Sequence, residues 1–365
     1  MQRKRTIKLL LLSLIALLAT QFSFSTPQSQ QRKWSPNKIP VNTEFAGSQA
    51  CAECHGDKVK SHAKTTMGRA LETVTAAQIL RDHTKLTFRS GPYNYEILRQ
   101  GEQSIYRVTN GQDTISVPIL YAFGLGSAGQ TYVLQGKRSL LESRVSFYNE
   151  TKNLDITLGM PTSVPSTLTE ALGREMSKDE TLQCFSCHTT GAVNGNQLEL
   201  QKLVPGISCE KCHGPGGEHI ALGKKGEPNA HKIFNPGSLS GDDLSQEFCA
   251  SCHRSVEEVT SLPRLGGKSN VRFQPYRIFN SKCYSDDRRI SCIGCHNVHE
   301  PLQTASTSYD VKCAACHTSQ QGKVCKIGKK DCASCHMPKV DLEGAHFKFT
   351  DHRIRIVKPG EAYPF

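Results

Sequence analysis

Apolar and polar side chains alternate along one limited interval of this 365-residue chain, between Thr84 and Tyr148. Thr84–Phe88, Tyr93–Leu98, Ser104–Val108 and Thr114–Val117 each place every second side chain on one face, the period of a half-buried strand. Ser90-Gly91-Pro92, Gly101 and Asn110-Gly111 lie between them, so the pattern predicts a meander of short antiparallel strands. A further pair is expected over Thr131–Leu134 and Ser143–Phe147. The glycine-rich Gly124–Gly129 is read as a turn or a close backbone approach, because the Lys-Ser/Thr of a phosphate-binding loop does not follow it. Upstream, Ser61 to Ala77 reads as a short helix with Leu71 and Val74 on one face. Earlier still, Thr26 to about Phe45 is polar and carries Pro27, Pro36 and Pro40, the texture of a flexible leader. From Cys184 onward the pattern predicts short helices and loops with breakers such as Gly214-Pro-Gly-Gly217, and no conventional side-chain core.

The first residues add an address. Met1-Gln-Arg-Lys-Arg-Thr-Ile-Lys8 is basic, Leu9 to Leu18 is apolar, and Ser23-Phe24-Ser25 offers a cleavage site, the three parts of a secretory signal peptide over residues 1–25. The alternative, an uncleaved membrane tether, meets an apolar run that is short for a span. Export to the periplasm or the extracellular space is therefore expected.

Cysteine changes the picture most. Fourteen of the 16 Cys fall into seven copies of one five-residue word. Cys51-Ala-Glu-Cys54-His55 stands alone. Six more follow: Cys184-Phe-Ser-Cys187-His188, Cys209-Glu-Lys-Cys212-His213, Cys249-Ala-Ser-Cys252-His253, Cys292-Ile-Gly-Cys295-His296, Cys313-Ala-Ala-Cys316-His317 and Cys332-Ala-Ser-Cys335-His336. C-x-x-C-H is the attachment signature of c-type haem. Two thiols add across the vinyl groups of one porphyrin, and the adjacent His becomes the proximal iron ligand. A string of zinc knuckles would not place His directly after every second Cys. Seven covalent haems are thus expected as cofactors. The last six motifs start 25, 40, 43, 21 and 19 residues apart, too unevenly for a solenoid.

The haems also alter the meaning of the charge. The formal +12 falls to +8 when Arg3, Lys4, Arg5 and Lys8 leave with the signal peptide. Seven haems bring fourteen propionates and seven ferric charges, which leaves the oxidised holoprotein at about +1. The excess Lys and Arg is read as pairing propionates, and nucleic acid is not an expected partner.

Seven His remain outside the motifs: His62, His83, His219, His231, His299, His346 and His352. Their number equals the number of irons, as expected if every iron takes a second His; ordinary surface histidines are the alternative. His299 follows His296 by three residues, His219 lies across a glycine-rich bend from its motif, and His346 and His352 sit in the tail. His83 opens the β segment and is the least well placed. Met67 is an alternative ligand near the first motif, a packed Met being the simpler reading. Cys283 and Cys325 are left over and are read as a disulfide in an oxidising compartment, with a thiolate haem ligand as the alternative.

With these residues in view, the chain resembles multihaem cytochromes with a cytochrome c-554-type domain, most clearly over Cys184 to Phe365. Cys209-Glu-Lys-Cys-His-Gly-Pro-Gly-Gly-Glu-His219 and Cys292-Ile-Gly-Cys-His-Asn-Val-His299 are similar to that family's pieces joining a haem motif to a distal His. The tail, Cys332-Ala-Ser-Cys-His-Met-Pro-Lys339 with Phe349-Thr-Asp-His352, resembles the last haem segment of pentahaem nitrite reductases, whose superfamily includes hydroxylamine oxidoreductases. The C-x-x-C-K catalytic motif of those reductases has no counterpart here.

The expected fold is mainly short α-helices and loops wrapped around stacked haems, with a small antiparallel β-rich insertion. Residues 46–80 form a first haem segment, 81–160 the β-rich insertion and 161–365 a hexahaem domain, after a leader over 26–45. The expected function is electron transfer between redox proteins through mostly bis-His haems, with a membrane-bound oxidoreductase among the candidate partners. A reductase acting on a nitrogen or sulfur oxyanion at one open haem is the alternative; a structural subunit that docks through its β segment is a third.

Overall fold

In the computed structural model, which describes residues 34–227, 233–262, 267–285, 288–317, 325, 328, 330–358 and 360–364, the alternating interval becomes a twisted antiparallel sheet. The signal segment, the first part of the leader and His231 lie outside the described residues. The sheet runs β10-β7-β6-β5-β4-β3-β2, with β1 also pairing β5. Its strands are β1 (Leu71–Thr73), β2 (Lys85–Ser90), β3 (Tyr93–Gln100), β4 (Gln103–Thr109), β5 (Thr114–Phe123), β6 (Thr131–Gln135), β7 (Leu140–Ser143) and β10 (Gly173–Glu175). Tyr93, Tyr95 and Ile97 of β3 and Tyr106 and Val108 of β4 are buried on the same face, in register as Tyr95 opposite Val108 and Ile97 opposite Tyr106. The two-residue period therefore does what the sequence predicts.

The turns are those the residues demand. Gly91 joins β2 to β3 at a φ of 55°. Between β4 and β5, the Asn110 Oδ1 accepts the N–H groups of Gln112 and Asp113, and Gly111 takes a φ of 91°. Gly124, Gly126 and Gly129 all have positive φ in the loop from β5 to β6, which makes that stretch a turn. Pro118 lacks an N–H and is the last β5 residue paired with β4; beyond it, β1 takes the place beside Tyr121–Phe123.

Three expectations are corrected. The helix over Ser61–Ala77 does not form: the helix instead spans Ser48–His62 and carries the first motif. The Thr65 hydroxyl donates to the His62 carbonyl and accepts from the Gly68 N–H, a side-chain turn that ends helical continuation. Leu71 is then buried as a strand residue opposite Phe123. The second predicted strand pair is also divided. β6 pairs β7, but the chain breaks at Arg144, and β8 (Val145–Tyr148) pairs with β9 (Asn153–Ile156) in a separate two-stranded sheet. Finally, the main sheet recruits β1 and β10 from outside 81–160.

Two apolar clusters organise the described residues. One fills the sheet face around Tyr95, Tyr106, Leu134 and Phe147. The other joins Leu71, Tyr121 and Phe123 to Phe185 and Ala192, and so seats the helix Lys178–His188, with the second motif at its end, against the sheet. Ser177 caps that helix in a reciprocal capping box with Glu180. Both clusters lie at or before Leu203. The later part is built of short helices around the remaining motifs, and Ser35–Phe365 is one compact unit. Among the described residues no helix is long and apolar enough to cross a membrane.

Candidate haem centres

Each motif lies on or beside a short helix. The His296 N–H donates to the Cys292 carbonyl at 2.9 Å and the His317 N–H to the Cys313 carbonyl at 3.0 Å. The third motif is the helix Cys209–His213, the seventh Cys332–His336, and the fourth runs from the π-helical Asp243–Cys249 into Ala250–His253. A helical turn puts the two thiols, three residues apart, on one face with the His beside them. The first motif departs from this, because His55 leaves helical backbone at φ −119°.

The imidazoles are oriented by backbone carbonyls. Nδ1 of His188 lies 3.0 Å from the Ala70 carbonyl, that of His213 2.9 Å from Phe234 and that of His336 2.8 Å from Arg355. His352 does the same with Thr350 at 3.0 Å. A carbonyl only accepts, so Nδ1 carries the proton and Nε2 keeps its lone pair for a metal. Burial pushes the His352 imidazole down to about 4 and lowers His253, which keeps both neutral, the ligating form.

Histidine pairs then reveal which residues the fold brings together. Two imidazoles each about 2 Å from one iron have ring centroids roughly 6 Å apart. His55 and His219 stand 6.3 Å apart with ring planes 15° apart, and His213 and His299 6.0 Å apart, also at 15°. His296 and His352 are 6.2 Å apart at 41°. His62 adds a third ring beside this second pair, 6.5 Å from His299, and burial lowers its pKa ahead of its two His neighbours. The donor set and the gaps between rings fit haem iron, and His219, His299 and His352 are the spare histidines that the fold brings to a motif histidine.

His83 and His346 go elsewhere. His83 packs on Phe147 at 5.1 Å, with Nδ1 on the Ile79 carbonyl. His346 directs Nε2 at Asp155 of β9, 2.8 Å away, and lies 4.6 Å from the Tyr148 ring. Among the described residues, neither is brought to a motif histidine. His188 has the Phe123 ring beside it at 5.0 Å. Met67 lies in the turn after the first helix, its carbonyl accepting from Ala70 and Ile207. Cys283, on the helix Lys282–Ser285, is half-buried, and Cys325 is exposed.

The motifs also meet one another. The thiols of Cys51 and Cys209, Cys187 and Cys252, Cys249 and Cys292, and Cys313 and Cys332 lie close enough to perturb one another. Asn37 bridges the second and fourth motifs: its Nδ2 donates to Cys187 Sγ at 3.4 Å, and its Oδ1 accepts from Cys252 Sγ at 3.5 Å. Pairs one–three, two–four, four–five and six–seven are thus adjacent at their attachment edges.

Sequence reasoning missed the supports of these centres. Arg277 and Asp351 form a fully buried two-pronged ion pair at 2.8 and 2.9 Å, directly before His352. Glu210, inside the third motif, is buried with its carboxylate on three backbone N–H groups. Nothing in the spacing of the motifs marks either one.

Comparison with known proteins agrees with this chemistry. The family described as cytochrome c554 and c-prime matches residues 144–214, which span the second and third motifs. The multiheme cytochrome MtrA of Shewanella baltica is 25% identical over 173 residues, 42% of this chain and 45% of that protein. The dissimilatory sulfite reductase MccA of Wolinella succinogenes is 25% identical over 190 residues, 40% of this chain and 24% of its own length. Cytochrome c-554 of Nitrosomonas europaea is 32% identical over 83 residues, 20% of this chain and 35% of that one. The chain spans less than half the length of these relatives. The crystal structure of the outer cell wall cytochrome OcwA aligns with 87% of this chain and 80% of that one, at 17% identity and a TM-score of 0.49. Together the sequence matches support a multihaem c-type cytochrome.

Proposed function

We propose that this multihaem c-type cytochrome is an exported seven-haem protein that carries electrons between redox partners. The observation that carries the reading is the adjacency of the motifs, which links Cys187 to Cys252 and Cys249 to Cys292 and so sets neighbouring attachment edges side by side. Haem supplies one-electron chemistry when bound; the chain supplies spacing, burial and axial ligands. His55 with His219, His213 with His299 and His296 with His352 would hold three irons six-coordinate, which limits reorganisation on electron transfer and lowers potential relative to Met/His ligation. Tight ligation at these three sites leaves no coordination position for a substrate.

Mass spectrometry after acid–acetone extraction is expected to retain seven haem masses on the chain, one per motif. Haem released into the solvent, or fewer than seven additions, rules this count out.

A second reading is supported by one observation. Phe123, an aromatic ring without a ligating atom, flanks His188. An iron at His188 that keeps an open side would admit a small oxyanion, and one relative of this chain is a sulfite reductase. Low-temperature electron paramagnetic resonance separates the two readings: carrier function expects low-spin signals throughout, and a high-spin component that shifts on adding sulfite or nitrite favours the reductase.

Cys283 and Cys325 are proposed to form a disulfide, since the motifs consume every other thiol and the compartment is oxidising. Peptide mapping without reductant should yield one linked peptide. Two freely alkylated thiols in the folded, exported protein would refute it.

A further inference from the structure

We propose that Glu210 is a positioning residue that sets His55 and His219 on opposite sides of one iron. The two histidines are 164 positions apart in sequence, yet their rings lie 6.3 Å apart with planes within 15°. Neither ring is anchored by its own helix alone. His219 sits in the first turn of the helix Gly217–Lys224, and His55 at the kink of the helix Ser48–His62. An exposed Lys224–Glu53 ion pair at 3.0 Å joins the two helices along their sides, and one buried carboxylate from a third element joins them at their starts.

Glu210 is 1% exposed. Its Oε1 accepts the Ala46 N–H at 2.9 Å and the Gly216 N–H at 2.8 Å, and its Oε2 accepts the Gly47 N–H at 2.8 Å. Gly47 is the residue that caps the first-motif helix, and Gly216 caps the helix bearing His219. Side-chain caps are absent at both positions, and the carboxylate accepts the N–H of each cap residue from a distance, as the Glu of a capping box does locally. Gly47 has a φ of 84°, which disfavours any residue with a Cβ. One side chain therefore ties the starts of two helices, and each helix delivers one imidazole. Because Glu210 lies between Cys209 and Cys212, the same contact also locks the third motif to the first, whose thiols Cys209 and Cys51 are in reach of each other.

The inference rests on the reading of the motifs as haem sites, and the test separates the two. Wild type, Glu210→Gln, Glu210→Asp, His219→Ala and the Glu210→Gln/His219→Ala double variant are compared as holoproteins by mass, electron paramagnetic resonance and redox titration. Glutamine keeps the shape but turns a donor toward at least one of three backbone N–H groups that need an acceptor. Glu210→Gln is expected to convert the low-spin signal of one haem in seven to high spin, as His219→Ala does, and the double variant to add nothing further. Glu210→Asp, one methylene shorter, should give a smaller change at the same haem. Unchanged spectra and potentials in both Glu210 variants, with one signal lost in His219→Ala, overturn the positioning role. The same holds for a loss of stability without a spectral change. A wild-type mass without haem on Cys51 and Cys54 instead refutes the cofactor reading beneath it.

Discussion

Asp351→Ala is expected to lower stability by about 3–5 kcal/mol, the cost of leaving a buried charge without its partner. Arg277 and Asp351 side chains are both 0% exposed. The guanidinium donates two parallel hydrogen bonds to the carboxylate, a third to the Asn270 Oδ1 and a fourth to the Pro364 carbonyl, and it stacks on Tyr363 at 4.6 Å. Arg355 adds a bond to the same carboxylate at 2.7 Å. Removing Asp351 leaves Arg277 charged, dry and short of its best acceptors, whereas a change that removed both charges would cost much less. Chemical denaturation of the holoprotein, followed at the haem absorbance, checks the value. A loss below about 1 kcal/mol, the scale of an exposed pair, would show that the site is wetter than its burial indicates. The Arg353 N–H also donates to Asp351, so His352 lies between two residues tied to one anchor. The same variant is therefore expected to disturb the axial ligation of one haem as well as the fold.

His352→Met should raise one haem potential by on the order of 0.1 V, a part of the roughly 0.8 V that axial ligands span, and leave the others nearly unchanged. On the proposed ligation the affected iron is that of the fifth motif, because the His352 ring stands 6.2 Å from His296. Its Nδ1 is held by the Thr350 carbonyl, and β-bridging of Lys339–Asp341 with Lys348–Thr350 pins the approach to it. Methionine is close to His in length and keeps a six-coordinate iron, so the spin state should survive while the potential moves. A redox titration identical to that of the unmodified protein would remove His352 from the ligand set.

What the sequence revealed follows from how local each signal is. Haem attachment needs two thiols and an imidazole within five residues, so the motifs are visible in any window that contains them. The period of β2 to β5 is equally local. The corner at Arg144 is not: Ser143–Phe147 keeps a strand-like texture, while the buried Arg144 turns the chain by donating to the carbonyls of Pro161 and Ser163. Leu71 and Val74 satisfy a helical spacing, but the Thr65 turn and the open flank of β5 beyond Pro118 claim Leu71 for a strand. Counting spare histidines matched their number to that of the motifs. It did not show that His346 is engaged by Asp155 or that His83 rests on Phe147, since both partners come from distant parts of the chain or from the sheet core.

Asn37 closes the longest of these links, since it reaches across 150 residues to Cys187 and 214 to Ser251. This segment is synthesised early and docks late, because its partners belong to motifs that follow it by 150 residues or more. Contacts of such sequence separation close slowly. Until the fourth motif is made, Asn37 lacks part of its partners, whereas the β2–β5 meander, whose pairings are local, needs nothing that follows it. The Asn37 segment, though made before the sheet, is thus fixed only after the motifs it links.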